Sequence, residues 1–581
     1  MSRSLLAALL VLLTAGVASG ATPIPEDGRP ATKFSGSPVT PRPVRAPAPP
    51  RHPFMAPNER SNIHDDAYMS DAYRGLGPLG VGTTPRSTFF SQDCASVTFD
   101  RRGRVESICV GLRNVTLRLL DPRTLDTISS FDLPARKPSI NPFQDFSGGG
   151  YFYLDHRDRA VIPTSDRRIL VVSQTPSSGF HLDRAYDLSS AVSSSDKITS
   201  ALPDFSGRLW FVTLGGIVGT VDPRTGRVQQ MDTGEEIENS FSVDETGGVF
   251  IVSDKAMYRF DAASGGAPQV SWRQVYENSH IHKPGQVDAG SGTTPTVMGR
   301  SYVSITDNAD PMNVVVYRRA RHLKGSRLAC AQPVFGRGAS ATDNSLIGTD
   351  RSMVVENNYG YSGPTRTMNG QTTTPGLERI DLNPGGHGCH RVWHSDEIAP
   401  TVVPKLSLNT GLVYTYTKPP RSDTNDTWYL TALSFRTGRT AFKRLAGTGL
   451  GFNNNYAPIT LGPDGSAYVG ALGGLVRLAD AVKPRLPRAR LLLRLGYRRG
   501  PGRCTRSDVA VRVVGRDAGS ADSARFARDG RRISSDRRPP LRAVIRLASL
   551  RRGHTATLTA RVALFDGRRA LVQRRIRPCG A

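Results

Sequence analysis

Carboxylate and amide side chains recur in the loops that precede a series of predicted strands, where they could bind a metal ion. Hard oxygen ligands suit Ca²⁺, which takes about six to eight of them. We expect the ion to be held by Glu238, Asn239, Asp343, Asn344 and Asn454. Asn and Asp also cap strands and form Asx-turns, so a structural role for these residues stays open. The other polar residues at such positions are Gln92, Asp93, Gln144, Asp145, Thr293, Thr294, Asp396, Glu397, Asn453 and Asn455.

Two further oxygen clusters and two histidine groups are candidates for metal or acid–base chemistry. The oxygen clusters are Asp307–Asp310 and Glu356–Asn358, and neither has the spacing of an EF-hand, which indicates turns. His280 and His282 stand two residues apart and would share one face of a strand. They could bind a transition metal or act as a general base, and the group His64–Asp66 has the same options. A structural role is the alternative for each group.

The segment from about residue 88 to residue 480 reads as short strands separated by turns. Apolar runs such as RLWFVTL, GGVFIVSD, SYVSITD and GLVYTYT alternate with clusters of Gly, Asp, Asn and Ser. Eight such modules begin roughly 40 to 60 residues apart, close to the period of a four-stranded propeller blade. We therefore predict an all-β chain with a seven- or eight-bladed β-propeller over residues 61–482. An N-terminal strand near residues 68–90 is expected to complete the last module.

A propeller would also explain why the polar loop residues could form one site. The loops before the innermost strands converge on a central funnel, where propellers usually meet their ligands. Side chains that are far apart in the sequence then face one another across the axis.

Four segments carry a resemblance to known proteins. SNIHDDAYMSDAY begins at Ser61, DFSGGGYFYLD at Asp145, GSGTTPTVMG at Gly290 and SITDNADP at Ser304. Together with the repeats, they resemble uncharacterised secreted members of the quinoprotein-dehydrogenase-like propeller superfamily over residues 60–480. The resemblance implies the propeller fold and carries no assigned chemistry.

The residues argue against pyrroloquinoline quinone as a cofactor. Members of the quinoprotein class use a vicinal Cys–Cys disulfide and a Trp-rich repeat, whereas this chain has no adjacent cysteines and only 4 Trp. The loop oxygens instead resemble those of metal-dependent lactonase-type propellers, in which Glu, Asn and Asp hold one ion on the axis. No GxSxG nucleophile elbow and no Walker-type phosphate loop is present in the sequence.

The cysteines and the first residues indicate export. Residues 1–20 have a basic start, an apolar run and a small-residue cleavage site before Ala21, as a signal peptide does. No later segment is long and apolar enough for a membrane span. An even number of cysteines in an exported chain favours disulfides. Proximity and domain assignment predict the pairs Cys94–Cys109, Cys330–Cys389 and Cys504–Cys579.

The two ends of the mature chain differ in composition from its middle. Residues 21–60 form a Pro-rich segment, which we interpret as a linker that buries little. Residues 483–581 carry 27 Lys and Arg against 6 Asp, a net charge of +21 out of +26 for the whole chain. Their apolar and polar residues alternate as in half-buried strands, which predicts a basic immunoglobulin-like (Ig-like) or fibronectin-like β-sandwich.

These observations lead to two functional hypotheses. The first is a secreted propeller that binds an extracellular ligand or partner, while the Arg-rich domain adheres to an anionic envelope polymer such as cell-wall polymer. The forked guanidinium suits phosphate and carboxylate, although the arginines could also be a merely solvated face. Nucleic acid is disfavoured because no aromatic stacking platform is visible. The alternative is a Ca²⁺-dependent hydrolase or lactonase with an axial site of carboxylates and amides.

Overall fold

The computed structural model describes residues 20–136, 141–145, 147–175, 179–482, 488–519, 521–537, 540–564 and 568–579. The predicted signal peptide lies outside these residues, apart from Gly20. The described chain is almost entirely β-structure, with four short 3-10 helices at Pro364–Thr367, Leu450–Phe452, Pro501–Arg503 and Leu547–Ser549. In the described part of the chain, no helix is long and apolar enough to cross a membrane.

Eight antiparallel sheets follow one another along the chain, and we number them sheets 1 to 8. In sheets 1 to 6 every strand pairs with the next one in sequence. The strands of sheets 1 to 4 are, in order, Asp93–Phe99, Val105–Val110, Val115–Leu120 and Thr127–Leu133; Tyr153–Leu154, Ala160–Pro163, Arg168–Thr175 and Gly179–Asp187; Ile198–Pro203, Leu209–Thr213, Ile217–Val221 and Val228–Asp232; and Ser242–Val243, Val249–Val252, Ala256–Ala262 and Pro268–Val275.

Sheets 5 to 8 continue the pattern. Sheets 7 and 8 also recruit strands from the N-terminal region. Their own strands are Thr296–Met298, Tyr302–Thr306, Asn313–Arg318 and Leu328–Pro333; Ile347–Gly348, Ser352–Glu356, Leu377–Leu382 and Cys389–Ser395; Lys405–Ser407, Leu412–Thr417, Thr427–Ser434 and Thr440–Thr448; and Ile459–Leu461, Ala467–Ala471 and Gly474–Ala479.

The apolar core passes from each sheet to the next and returns to the first. A four-stranded sheet has two apolar faces and must bury both against neighbours. Ile108 of sheet 1 packs with Ile162 of sheet 2. At the other end of the series, Tyr468 of sheet 8 packs with Phe99 of sheet 1. This closed series of four-stranded antiparallel sheets is consistent with a β-propeller, so the predicted all-β class is confirmed at that level.

The N-terminal region supplies three strands to the last two sheets. Thr84–Phe89 pairs with Gly474–Ala479 and forms the fourth strand of sheet 8, which confirms the expected N-terminal completion. Phe34–Gly36 extends the outer edge of sheet 7. Ala72–Tyr73 pairs in parallel with Lys405–Ser407 at the opposite edge of the same sheet.

Residues 55–73, which we call the crossing segment, pass over the ends of the first strands of most sheets. Backbone carbonyls of Ser61, Ala67, Tyr68 and Ser70 accept hydrogen bonds from sheets 2, 4, 5 and 6. The segment is almost wholly buried. The structure therefore differs from the expected linker over residues 21–60, because this stretch includes a paired strand, the buried Ile24 and the start of the crossing segment.

Residues 488–579 form two sheets around a separate apolar core. One has three strands, Leu492–Gly496, Val509–Val514 and Arg542–Ile545. The other has four, in the spatial order Arg531–Asp536, Ala521–Arg528, Ala556–Leu564 and Arg569–Ile576. Burial alternates along Val509–Val514, as the sequence predicts. Cys504–Cys579 joins the two ends of this unit, and the other two predicted disulfides, Cys94–Cys109 and Cys330–Cys389, are also present.

Candidate functional site

The loops that precede the first strands of the sheets converge at one end of the ring, which we call the loop end. The Tyr151 hydroxyl, before sheet 2, donates a hydrogen bond to Asn239 Oδ1, before sheet 4. Asn455 Nδ2, before sheet 8, donates to Asp93 Oδ2 at the start of sheet 1 over 3.2 Å. Loops from at least four sheets therefore meet, as the propeller interpretation requires.

Glu238 and Asp343 lie at the centre of this end as a pair of buried carboxylates. Each is 7% exposed. Neither Glu238 oxygen accepts a hydrogen bond, and neither Asp343 oxygen has a side-chain partner, within the part of the chain that the structure describes. Buried carboxylates are normally paired or bound to a cation. The pair is therefore the strongest candidate position for a bound cation among the described residues.

The surroundings favour protonation of both carboxyl groups. Burial raises the pKa of Glu238 well above its usual range, and the negative charges of Asp343, Asp288 and Glu236 add to the effect. Burial likewise raises the pKa of Asp343, with a contribution from Asp288 that the Val287 amide opposes. Burial also raises the pKa of Asp288, to about 6. A bound cation would relieve this like-charge repulsion.

Of the five predicted metal ligands, the structure brings Glu238, Asn239 and Asp343 together. The other two, Asn344 and Asn454, contact Thr401 instead. Asn239 joins the pair through Gly292, because Asn239 Nδ2 donates to the Gly292 carbonyl over 2.6 Å and Asp343 packs against the Gly292 α-carbon. Asn344 Nδ2 donates to the Thr401 carbonyl over 3.0 Å, and the Thr401 hydroxyl donates to Asn454 Oδ1 over 3.3 Å.

Glycine at position 292 is what allows Asp343 to sit so close to the backbone. A β-carbon on Gly292 would lie 1.8 Å from Asp343 Oδ1 and 2.7 Å from the Asp343 α-carbon. Any side chain there would displace the carboxylate. The close approach of Asp343 therefore explains the second glycine of the GSGTTPTVMG segment, Gly292.

A long loop between sheets 4 and 5 covers the acidic pair. The Pro284 carbonyl accepts a hydrogen bond from Gly360 over 2.9 Å, and the Gln286 carbonyl accepts one from Gln144 over 3.2 Å. These contacts join the loop to the loop before sheet 2 and to the connection between the second and third strands of sheet 6. Among its predicted histidines, His282 bonds through Nε2 to the Gln286 carbonyl over 2.6 Å, which is a structural contact within the loop.

One cavity adjoins Asp343, and a second cavity lies beside the first. A small one of about 40 Å³ is lined by Tyr151, Asp343 and Tyr456, and by His64 of the crossing segment. A larger one of about 400 Å³ lies between sheets 8 and 1 and contains Asp93. Both cavities are lined by Ala95, Gly150 and Asn455, so they are neighbours. Burial raises the pKa of Asp93 to about 7.

The crossing segment carries paired charges beside the small cavity. Lys405 Nζ donates to Asp71 Oδ1 and, over 2.8 Å, to the Ile63 carbonyl. The Ser345 hydroxyl donates to Asp71 Oδ2 over 2.7 Å, and His64 Nδ1 lies 3.2 Å from the same oxygen. Burial opposes ionisation of Asp71, yet Lys405 and His64 hold its pKa below the usual range. Of the predicted His64–Asp66 group, His64 therefore contacts Asp71, whereas Asp66 Oδ2 accepts a hydrogen bond from the Ser70 hydroxyl over 2.7 Å.

The remaining predicted clusters are satisfied within their loops. Asp307 accepts hydrogen bonds from the Asn313 backbone and side chain, both over 2.7 Å. Glu356 accepts bonds from Asn344 and Asn358 over 3.0 and 2.9 Å. Both clusters act as turn and strand-end contacts, which agrees with the structural alternative.

Tyr151, Tyr456 and Asp288 belong to the site and were not among the candidates. Tyr151 stands directly before the first strand of sheet 2, whereas the sequence register placed Gln144 and Asp145 there. The two tyrosines could be recognised as site residues only if the first residue of each following strand had been predicted correctly. Asp288 lies on the long loop, where no repeat indicates its position.

The donor set fits a cation only in part. Among the described residues, no group of three or more His, Cys, Asp or Glu side chains is arranged to hold a metal ion. Glu238 and Asp343 could supply two carboxylates, so amide, hydroxyl or backbone oxygens would have to complete a Ca²⁺ shell.

Comparison with known proteins shows neither a family nor an activity. No family model matches the chain. An uncharacterized protein of Archaeoglobus fulgidus is 27% identical over 324 residues, which are 50% of this chain and 62% of that protein, so the match spans under two thirds of the relative. BamB from Moraxella catarrhalis gives a TM-score of 0.39 at 12% identity, covering 72% of this chain and 96% of that one. A streptogramin B lyase gives 0.33 at 10% identity, covering 68% and 97%.

Proposed function

We propose that the protein is an exported binding protein: an eight-bladed propeller that takes a cationic group at Glu238 and Asp343, followed by a basic Ig-like sandwich. The observation that carries the proposal is the pair of buried carboxylates without side-chain partners. The ligand of this site is a cation of Ca²⁺ type or the positively charged group of an extracellular molecule. Three disulfides are typical of an oxidising compartment, and the signal-like residues 1–20 support export.

The sandwich assignment rests on strand order. In the unit of residues 488–579 the first, second and fifth strands form one sheet, and the fourth, third, sixth and seventh form the other. Seven short strands divided in this way over one core support an Ig-like or fibronectin-like domain. Its net positive charge supports adhesion to an anionic envelope polymer.

Metal content and thermal stability test the cation site directly. The purified protein should contain a stoichiometric cation, and chelation should lower its melting temperature. Glu238→Gln and Asp343→Asn should abolish this response, because each removes one carboxylate charge. Glu356→Gln, at a buried carboxylate that accepts amide hydrogen bonds, should retain it. A wild-type protein without cation and without response to Ca²⁺ or to organic amines would overturn the proposal.

The second candidate is a Ca²⁺-dependent hydrolase or lactonase. Asp288 favours it, because a carboxyl group with a pKa of about 6 beside the acidic pair can act as a general base near neutral pH. A bound Ca²⁺ would polarise an ester carbonyl and help activate water. Asp288 would accept the proton of that water, while Asn239 and Tyr151 would orient the substrate. Hydrolysis of simple lactones that Asp288→Asn abolishes, with cation content unchanged, would favour the enzyme.

A further inference from the structure

Three arginines form a row across the outer face of the three-stranded sheet in the C-terminal unit. Arg494 is directly opposite Arg512, and Arg512 is directly opposite Arg542. All three are exposed, and none makes an ion pair within the described ranges. We call this row the arginine ladder.

Such a row is unfavourable for the isolated protein. Like charges directly opposite each other in an antiparallel pair destabilise it. Neighbouring strands lie about 4.7–4.9 Å apart, so three guanidinium groups share a narrow strip. The opposite face of the same strands is apolar and buried, with Leu493, Val511 and Ala543 in the core. The ladder is thus held in place by core packing, without a compensating acid within the sheet.

We infer that the arginine ladder binds a linear polyol-phosphate polymer. A phosphate can accept hydrogen bonds from two guanidinium forks at once, whereas a carboxylate offers a single pair of oxygens that one fork occupies. The spacing of adjacent strands lets neighbouring arginines hold one phosphate from two sides. The inference rests on the adhesion role in the proposed function and specifies its residues and ligand.

The surroundings of the ladder agree with a long ligand. Arg512 also lines a cleft of about 840 Å³, whose other walls include Arg300 and Arg351 from the turns of sheets 5 and 6. A polymer can therefore continue from the ladder between the two parts of the chain. The outer face of the three strands carries no aromatic residue for base stacking. Its other residues form two apolar pairs that flank the ladder, Leu492 opposite Val514 and Ala510 opposite Val544.

Binding of the full-length protein to synthetic poly(glycerol phosphate) tests the inference. We expect the triple variant R494Q/R512Q/R542Q to lose at least tenfold in affinity and to show a shallower dependence on salt concentration. The matched control is R551Q/R552Q/R569Q, which removes the same charge at three exposed arginines that lie opposite no other arginine in the strand register. The ladder variant should remain folded, because it loses like-charge repulsion.

The outcomes separate the ladder from general charge effects. Equal loss in both triple variants would overturn the ladder as a site while leaving basic adhesion intact. Stronger binding to polygalacturonate, to a single-stranded oligonucleotide or to phosphatidylglycerol vesicles would overturn the ligand class. No binding to any polyanion by the wild type would overturn both the ladder and the adhesion role.

A separate observation concerns the first residues of the described chain. The Ala21 backbone nitrogen lies 2.6 Å from Asp126 Oδ1, in the turn between the last two strands of sheet 1. The Thr22 carbonyl accepts a hydrogen bond from Phe89 over 2.7 Å. Ile24 is 2% exposed, against Gly451 and Gly473. Residues 21–24 thus connect sheet 1 with the N-terminal strand of sheet 8.

The geometry points to an ion pair that forms on removal of the signal peptide. Cleavage by an exporting signal peptidase adds water across the Gly20–Ala21 peptide bond, leaving a carboxylate on Gly20 and an ammonium on Ala21. That ammonium would face the Asp126 carboxylate, and the pairing would raise its pKa above the ordinary α-amino value of about 7.7–8.0. This inference also rests on the proposed export.

N-terminal sequencing and melting at several pH values test it. We expect the secreted protein to begin at Ala21. Because the raised pKa belongs to the folded state, the stabilisation is present below about pH 7.7 and is lost as pH rises through that raised pKa. Asp126→Asn and chemical N-acetylation should each remove this loss, and together they should have no further effect. Another N-terminus would overturn the processing step, and parallel pH profiles of wild type and variant would overturn the ion pair.

Discussion

The crossing segment and the loops before the first strands both bury carboxylates, but only the crossing segment pairs them. In the crossing segment, Asp71 contacts Lys405, Ser345 and His64. In the loops, Glu238 and Asp343 lie near each other and near Asp288, and no side chain among the described residues donates to either of them. The burial is similar, and the difference lies in the partners. The first arrangement pairs its charges, whereas ionisation of the second is costly unless a cation balances it.

The largest expected effect is at the paired carboxylate, Asp71. Lys405→Met should leave Asp71 buried without its main counter-charge and lower the free energy of unfolding by about 3–5 kcal/mol. Urea unfolding of the full chain measures this loss. The double variant Asp71→Asn/Lys405→Met should recover part of it, because no buried charge remains unpaired. Full stability of the single variant would remove the distinction between the paired and the unpaired carboxylates.

A smaller effect of opposite sign is expected at the loop end. After chelation, Glu238→Gln should raise the free energy of unfolding at pH 7 by about 1–3 kcal/mol, since Glu238 favours the unfolded state by ionising there more readily than in the folded protein, and Gln does not. The folded pKa of Glu238 is raised, so wild-type stability falls as pH rises from its unfolded value of about 4.3 towards its folded value. The two proteins should therefore agree near pH 4 and diverge as pH increases. A destabilised variant at pH 7 would show that Glu238 has a partner.

The third prediction tests whether cation binding depends on the position of Asp343. Gly292→Ala should force the carboxylate away from Glu238, lowering cation affinity and costing about 1–3 kcal/mol by overpacking. Isothermal titration with Ca²⁺ and thermal melting measure the two effects. Gly265→Ala is the control, because a β-carbon there meets no atom within 4 Å. Unchanged cation affinity in Gly292→Ala would separate Asp343 from the site.

The sequence predicted what depends on local pattern and missed what depends on distant partners. Strand runs and turns predicted the repeated sheets, and Thr84–Phe89 was expected near the last module because that module lacked a strand. Disulfide pairs followed from proximity. The segment SNIHDDAYMSDAY reads as polar loop, however, and its burial is intelligible only once Lys405, 334 residues away from Asp71, is placed beside it.

The same limit explains the partial success at the candidate site. Glu238, Asn239 and Asp343 stand directly before first strands, so the repeat register located them. Asn344 and Asn454 have the same sequence signature, but their amides contact Thr401. Side-chain direction within a loop depends on neighbouring loops that the repeat pattern does not specify. Tyr151 was missed because the start of sheet 2 was assigned too early.

The pairing of Thr84–Phe89 with Gly474–Ala479 has a consequence for synthesis and export. The first of these strands leaves the ribosome long before its partner exists, and closing so large a loop is slow. Until then sheet 8 has an open edge, which is a template for pairing with other chains. A chain truncated before residue 474 can never close the ring. The edge of sheet 8 is therefore covered only after the whole polypeptide has been made. Incomplete chains keep this edge exposed, and we expect them to aggregate.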